Sequence, residues 1–337
     1  MRGRFGWLRL LAVIAVVAVV AAACSKSGGG TNASPTAAGP LKVAIVAPSA
    51  TNDLAFTQSM VDAVNGLKDS ENLDVAVSDN QFVVDDAANA IRTYASQGYD
   101  LVIAHGSQYG GSVQQIAPEF PDVSFAWGTA GTTFGLDNVY AYSASSDEGG
   151  YVMGTMAAAM SQSKVLGVIG PIEVGDAQLY VDGFKAGAAA ADSSVKTKVN
   201  YTGSFSDVGL AAEAARSFLA ADADVMTGTA QMVVGAIGVC KGNDIPWFGT
   251  QSNQTSLAPD VVVASQVYHW EVALKQMIDD IRAGKLGGQA FDINLKNEGE
   301  VIEYNDGFSL PSDVKAKGDA AIAGIIDGSI STGVTAG

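Results

Sequence analysis

The chain has 337 residues, enough for two lobes at about 100–200 residues per domain, and 48% hydrophobic against 16% charged residues excludes a disordered chain. Its 35 acidic and 19 basic residues give a net charge of −16 with no basic stripe, which argues against a nucleic-acid partner. Two cysteines and two histidines, none paired at zinc-ligand spacing, make neither a disulfide scaffold nor a metal site, and no cofactor is expected.

Arg2, Arg4 and Arg9 precede an apolar run from Leu10 to Ala23, shorter than the roughly 20 residues of a spanning helix, so residues 1–23 read as a signal peptide. Ala21-Ala22-Ala23-Cys24 resembles the lipobox of bacterial lipoproteins, in which Cys24 becomes the lipid-modified first residue; the alternative is an ordinary signal peptide with an incidental cysteine. Cleavage there removes three arginines and no acid and leaves a charge of −19, which disfavours anionic ligands such as nucleotides. Cys240 would be the remaining free thiol, so no intramolecular disulfide is expected. Residues 24–40 read as the lipidated cysteine and a flexible tether, reaching about 20–25 Å by random-coil scaling.

From Leu41 short β-branched runs alternate with helical segments. Leu41–Val46, Leu73–Val77, Leu101–Ala104 and Val123–Ala126 are predicted strands, with helices over Phe56–Leu67, Asp85–Gln97 and around Val113–Pro118. Val139–Ser143 reads as the connection to a second series, with strands at Val165–Ile169, Thr197–Tyr201, Val225–Thr227, Trp247–Phe248 and Val261–Ala264. Its helices lie near Gln178–Asp192, Asp207–Ala221 and Met232–Gly238. A helix over Trp270–Arg282, a glycine-rich stretch, a strand at Val301–Tyr304 and a final helix follow. The alternation implies two Rossmann-like lobes with parallel sheets, and the late helix has to return to the first lobe if several strands form the hinge.

Ligands of open parallel sheets bind beyond the carboxyl ends of the strands, and those loops carry many aromatic and amide side chains. They include Phe56, His105, Gln108, Trp127, Thr129, Phe134, Asp176, Tyr180, Phe205, Gln231 and Gln251. Phe56, Phe134 and Phe205 are equally well read as core. Trp127 and Trp270 stand at a loop and a helix start, where tryptophan seldom buries fully. Asp53, Asp176 and Asp207 read as ligand contacts or helix caps, with capping favoured for Asp207. Catalysis finds little support: His105 has no local nucleophile or carboxylate partner, His269 and Glu271 would diverge on a helix, and neither G-x-S-x-G nor G-x-G-x-x-G is present where it would count.

The order of segments from Leu41 to Gly284 resembles the basic membrane protein family of lipoproteins, substrate-binding proteins of ABC transporters, many of which bind purine nucleosides. The matching stretches are Asp53-Leu-Ala-Phe56, Gly98–Gly106, Ala117–Phe125, Asn138-Val139, Glu148-Gly-Gly-Tyr151 with Gly154, Val165–Gly170 with Asp182–Gly187, and Tyr201–Asp207. Thr57 stands where the family has asparagine. Gly249-Thr-Gln-Ser-Asn-Gln254 replaces its G-V-D-S-D-Q, turning two carboxylates into the amides of Gln251 and Asn253, and Tyr268 replaces a lysine. The resemblance implies that the lost carboxylates would have held ribose hydroxyls, which favours a purine base over a nucleoside. Trp270 resembles a branch associated with free bases.

The expectation is therefore a type I periplasmic-binding-protein fold, with 41–143 plus 266–290 as one lobe and 144–265 plus 291–337 as the other. The lobes would close over a purine base, with Asp53, Phe56, Trp127, Tyr180, Phe205, Gln251, Tyr268 and Trp270 in the pocket. Asp53 would accept from an N–H edge, Gln251 would donate and accept, and the aromatics would sandwich the ring. Expected partners are the small-molecule ligand, an ABC permease and, through the lipid anchor, the extracytoplasmic face of a bacterial membrane; the protein would act as a monomer. The rival readings are a ligand-presenting receptor for a signalling partner and an exported nucleoside-cleaving enzyme.

Overall fold

Leu41–Val46 (β1) lies inside a parallel sheet, which is why a continuous apolar run rather than an alternating one forms it; its last four residues are buried. The computed structural model describes residues 39–335. The expected signal peptide, Cys24 and all but the last two residues of the tether lie outside the described residues.

After β1 come Phe56–Leu67 (α1), Leu73–Ser78 (β2), Val84–Ser96 (α2), Leu101–His105 (β3), Gly110–Ile116 (α3), Ser124–Gly128 (β4) and Val139–Ala144 (β5). The second series is Ser146–Met160 (α4), Val165–Gly170 (β6), Gly175–Ala191 (α5), Lys196–Tyr201 (β7), Val208–Leu219 (α6), Val225–Gly228 (β8), Val233–Lys241 (α7), Trp247–Gly249 (β9) and Val262–Tyr268 (β10). Glu271–Arg282 (α8), Gln289–Ile293 (β11), Glu300–Tyr304 (β12) and Ser312–Asp327 (α9) complete it.

The strands form two six-stranded sheets, ordered β11-β5-β4-β3-β1-β2 and β12-β10-β9-β8-β6-β7; every pairing is parallel except β10 with β12. In each sheet the order reverses between the first and third strands of its series, so a crevice opens beyond the ends of β1 and β3 and another beyond β6 and β8. Helices cover both faces of each sheet: α1 and α8 pack over Val43, Ile45 and Tyr140, and the α2 and α3 residues Ile91 and Val113 over Val102 and Phe125. In the second lobe α4, α5 and α9 lie on one face and α6 and α7 on the other.

Three crossings join the lobes, from β5 to α4, from β10 to α8 and from β11 to β12. The expected connector Val139–Ser143 is instead an interior strand of the first sheet, buried between β4 and β11, and the crossing follows it. The sheets exchange after Tyr268 and after Ile293, a few residues beyond the expected 265 and 290. The returning α8 is fixed to the first lobe by Trp270, Leu274, Met277 and Ile278 in its core and by Glu71, which accepts from Lys275 Nζ (3.0 Å) and from Arg282.

In the second lobe α4 and α5 touch backbone to backbone. Gly150 and Gly154 face Tyr180 and Phe184, while Gly183 and Gly187 face Asp147 and Tyr151, and a methyl group at any of the four would overlap the opposing main chain. This close approach accounts physically for the glycines at 154, 183 and 187 in the motifs quoted above. It also fixes the middle of α5, the helix whose first turn carries Asp176, against the hinge-side end of α4.

Candidate functional site

The loops that leave the strand ends of both sheets meet in one narrow cavity of about 30 Å³. From the first lobe it is lined by Pro48 and Phe56 after β1, Phe82 after β2, Gly106 to Gln108 after β3 and Thr129 after β4. The second lobe contributes Asp176 and Ala177 after β6, Phe205 after β7, Ala230 and Gln231 after β8, and Gln251 after β9. The lobes also bond directly around it: Gln231 Nε2 donates to Ser49 Oγ (2.9 Å), Thr129 Oγ1 to Asp176 Oδ1 (3.1 Å) and Ser252 Oγ to the Ala55 carbonyl (2.8 Å).

The first-lobe wall is a self-satisfied aromatic stack. The Phe56 ring lies on His105 at 3.8 Å between centroids and 11° between planes, and His105 is nearly parallel to Tyr142. His105 Nε2 meets the Phe56 carbonyl at 2.9 Å, so this nitrogen carries the proton, and Nδ1 accepts from the Tyr142 hydroxyl at 2.8 Å. Burial pushes the His105 pKa down to about 3, so the imidazole is neutral. Trp270 packs edge-on to Phe56, His105, Tyr142 and Tyr268, and its Nε1–H donates to Ser59 Oγ (2.9 Å).

The second-lobe wall is polar and incompletely paired. Asp176 stands in the first turn of α5, with Oδ2 shielded from solvent and without a hydrogen bond; Gln231 Oε1 and Gln251 Oε1 are in the same condition. Burial raises the Asp176 pKa, opposed by Thr129, by the helix-start amides and by the Gln251 amide. Gln251 is held at φ +69°, a left-handed conformation that non-glycine residues adopt mainly where surrounding contacts enforce it.

Of the eight expected pocket residues the structure brings three together, Phe56, Phe205 and Gln251. The other five have different duties. Asp53 anchors the start of α1, accepting from the amides of Ala55, Thr57 and Gln58 and from Ser49 Oγ. Trp127 packs its indole on Gly110 and stacks on Phe134 at 4.6 Å, away from the cavity. Tyr180 is core on the sheet-facing side of α5, its hydroxyl 2.6 Å from Thr227 Oγ1. Tyr268 ends β10 at a crossing and pairs its hydroxyl with Ser146 (2.8 Å). Trp270 is 0% exposed, a buttress behind Phe56 rather than a stacking surface.

Thr57 is tied to Ser49 (2.7 Å), and Asn253 turns outward to Glu303. Asp207 caps α6, as favoured. His269 and Glu271 do not diverge: His269 precedes the helix and its Nδ1 lies 3.4 Å from Glu271, on the outside of the protein. Asp176, Thr129 and Gln231 are among the cavity residues left out of the expected set, with Ser107 and Gln108. Their signal was present in their positions immediately after strands, and their direction was not. Among the described residues no group of three or more His, Cys, Asp or Glu forms a candidate metal centre.

The profile of the Bmp family, described as ABC transporter substrate-binding protein PnrA-like, matches residues 41–317. A purine-binding protein of Brucella abortus is 31% identical over 185 residues, covering 55% of this chain and 52% of the relative, so this match spans about half of that protein. An ABC transporter nucleoside-binding protein of Lactococcus lactis subsp. cremoris is 26% identical over 315 residues, covering 86% of this chain and 88% of the relative. A solved ABC transporter solute-binding protein of Conexibacter woesei superposes with a TM-score of 0.73 at 26% identity, over 88% of this chain and 99% of that one.

Proposed function

The chain belongs to the Bmp family of PnrA-like ABC transporter substrate-binding proteins, and on that premise we propose that it closes its lobes over a purine base and delivers it to an ABC permease. Proteins of this family bind solutes rather than transform them. The observation that carries the ligand reading is that Phe56 and Phe205 enter one interlobe cavity from opposite lobes, beside amides and a carboxylate. Two aromatic faces with a polar edge suit a flat heterocycle. The names of the Brucella and Lactococcus relatives support a purine or nucleoside class. A nucleoside is the second reading; the cavity has Gln251 where the resemblance leads one to expect a carboxylate for the ribose.

Delivery would take place at the extracytoplasmic face of a bacterial membrane, with the protein acting as a monomer held by a lipid on Cys24. Native mass spectrometry followed by a thermal-shift panel of bases, nucleosides and sugars tests the ligand class; stabilisation by sugars and by no base or nucleoside overturns it. Phe56→Ala and Phe205→Ala should each weaken a stacked base by about 1–3 kcal/mol. Cys24→Ala should release the protein from the membrane fraction, and continued membrane association would remove the anchor from the proposal.

A further inference from the structure

We propose that this site selects its ligand by the hydrogen-bond donors that the ring presents, and that Asp176 is the residue that reads them. The inference rests on the interlobe cavity being the purine site proposed above.

Among the described residues seven shielded side-chain nitrogen or oxygen atoms lack a hydrogen bond, and three of them, Asp176 Oδ2, Gln231 Oε1 and Gln251 Oε1, belong to this one cavity. All three are acceptors. A glutamine amide can in general turn over, but at Gln231 the bonds fix it. Ser49 Oγ has a single hydrogen, and it goes to Asp53 Oδ2 at 2.6 Å, so Ser49 can only accept from Gln231 Nε2, leaving the Gln231 oxygen free. Gln251 Oε1 is likewise without a partner. In its ionised form, which the Thr129 hydroxyl favours by donating to Oδ1, the Asp176 carboxylate only accepts. Its Oδ1 already takes the Thr129 hydroxyl across the cleft, and Oδ2 is the atom left for a ligand.

Shielded acceptors favour a ligand that supplies N–H groups and penalise one that leaves them unpaired, more strongly than added apolar contact can discriminate. The class this points to is a purine carrying exocyclic amino groups or a protonated ring nitrogen on its six-membered ring, in preference to an unsubstituted or acceptor-only ring of the same shape.

The test is a donor-deletion series, 2,6-diaminopurine and adenine against unsubstituted purine, with hypoxanthine as the ring N–H donor, measured by isothermal titration with the full chain. The tightest of the three should bind 10- to 100-fold more tightly than purine. Asp176→Asn, which keeps the shape and replaces an acceptor by a donor, should reduce that ratio at least ten-fold; Gln231→Met should reduce it less while the protein remains folded by thermal unfolding. If purine binds within three-fold of the others, or Asp176→Asn leaves the ratio intact, donor selection is wrong while the purine reading stands. If no purine binds and sugars do, both readings fall.

Discussion

The two walls of the cleft are built on opposite principles. On the first lobe the Phe56 ring that faces the cavity is backed by His105, Tyr142 and Trp270, whose polar atoms are already paired. On the second lobe Asp176, Gln231 and Gln251 present atoms that the protein leaves unpaired. One wall supplies shape and the other supplies chemistry. A substitution in the first should therefore cost stability and affinity together, and one in the second should separate them.

Trp270→Ala attacks the finished wall. Removing a fully buried indole that meets four rings should cost about 3–5 kcal/mol of stability, and ligand affinity should fall as Phe56 loses its support. Denaturant unfolding measures the first effect and titration the second; normal stability with lost affinity would make Trp270 a ligand contact after all. Gly187→Ala presses a methyl group into the Tyr151 main chain and should cost about 1–3 kcal/mol, together with affinity, because Asp176 rides on the same helix.

Asp176→Asn should do the opposite of Trp270→Ala, raising stability at pH 7.5 by about 1 kcal/mol while weakening the ligand. The sign follows from burial. A carboxyl group whose folded pKa is raised contributes stability that is fully present below its unfolded value, near 4, and is lost as pH rises through the raised one. Wild-type protein should thus gain melting temperature on acidification more than the variant does. Glu300, buried at the hinge with Gln266 and the Gly149 amide and raised well above its ordinary value, acts in the same direction, so Glu300→Gln should flatten the profile further. Ser49→Ala removes the interlobe bond to Gln231 together with those to Asp53 and Thr57 and should cost about 0.5–1.5 kcal/mol, part of it read as a shift toward the open form by small-angle scattering.

The alternation of elements was legible because the interior strands are short apolar runs and the helices between them are amphipathic; Phe56–Leu67 was placed to the residue. β11 was missed because it lies at a sheet edge and alternates exposure over Gln289–Ile293, with two polar residues among five. β5 was taken for a connector because a strand gives no local sign of whether the chain leaves the sheet after it.

At the site, position after a strand was enough to nominate Phe56, Phe205 and Gln251. What failed was side-chain direction. Tyr180, Tyr268 and Trp270 look like stacking groups by residue type, and all three turn into packing created by distant segments, Trp270 against Ser59 and Tyr142, Tyr268 against Ser146. Asp176 was one of three carboxylates that local sequence could not separate; what singles it out is Thr129 reaching it from the other lobe.

The return of α8 has a consequence for how the protein is made. The core beneath Phe56 is completed by Tyr268, Trp270, Leu274, Met277, Ile278 and Ile293, all of which are synthesised after most of the second lobe, which itself still waits for β12 and α9. Neither lobe is thus complete until the last part of the chain has emerged. Until then the first sheet holds an exposed apolar face, the kind of surface that aggregates when folding waits on distant segments. A chain organised in this way gains from staying unfolded until its last helices are available, when both lobes can be completed together.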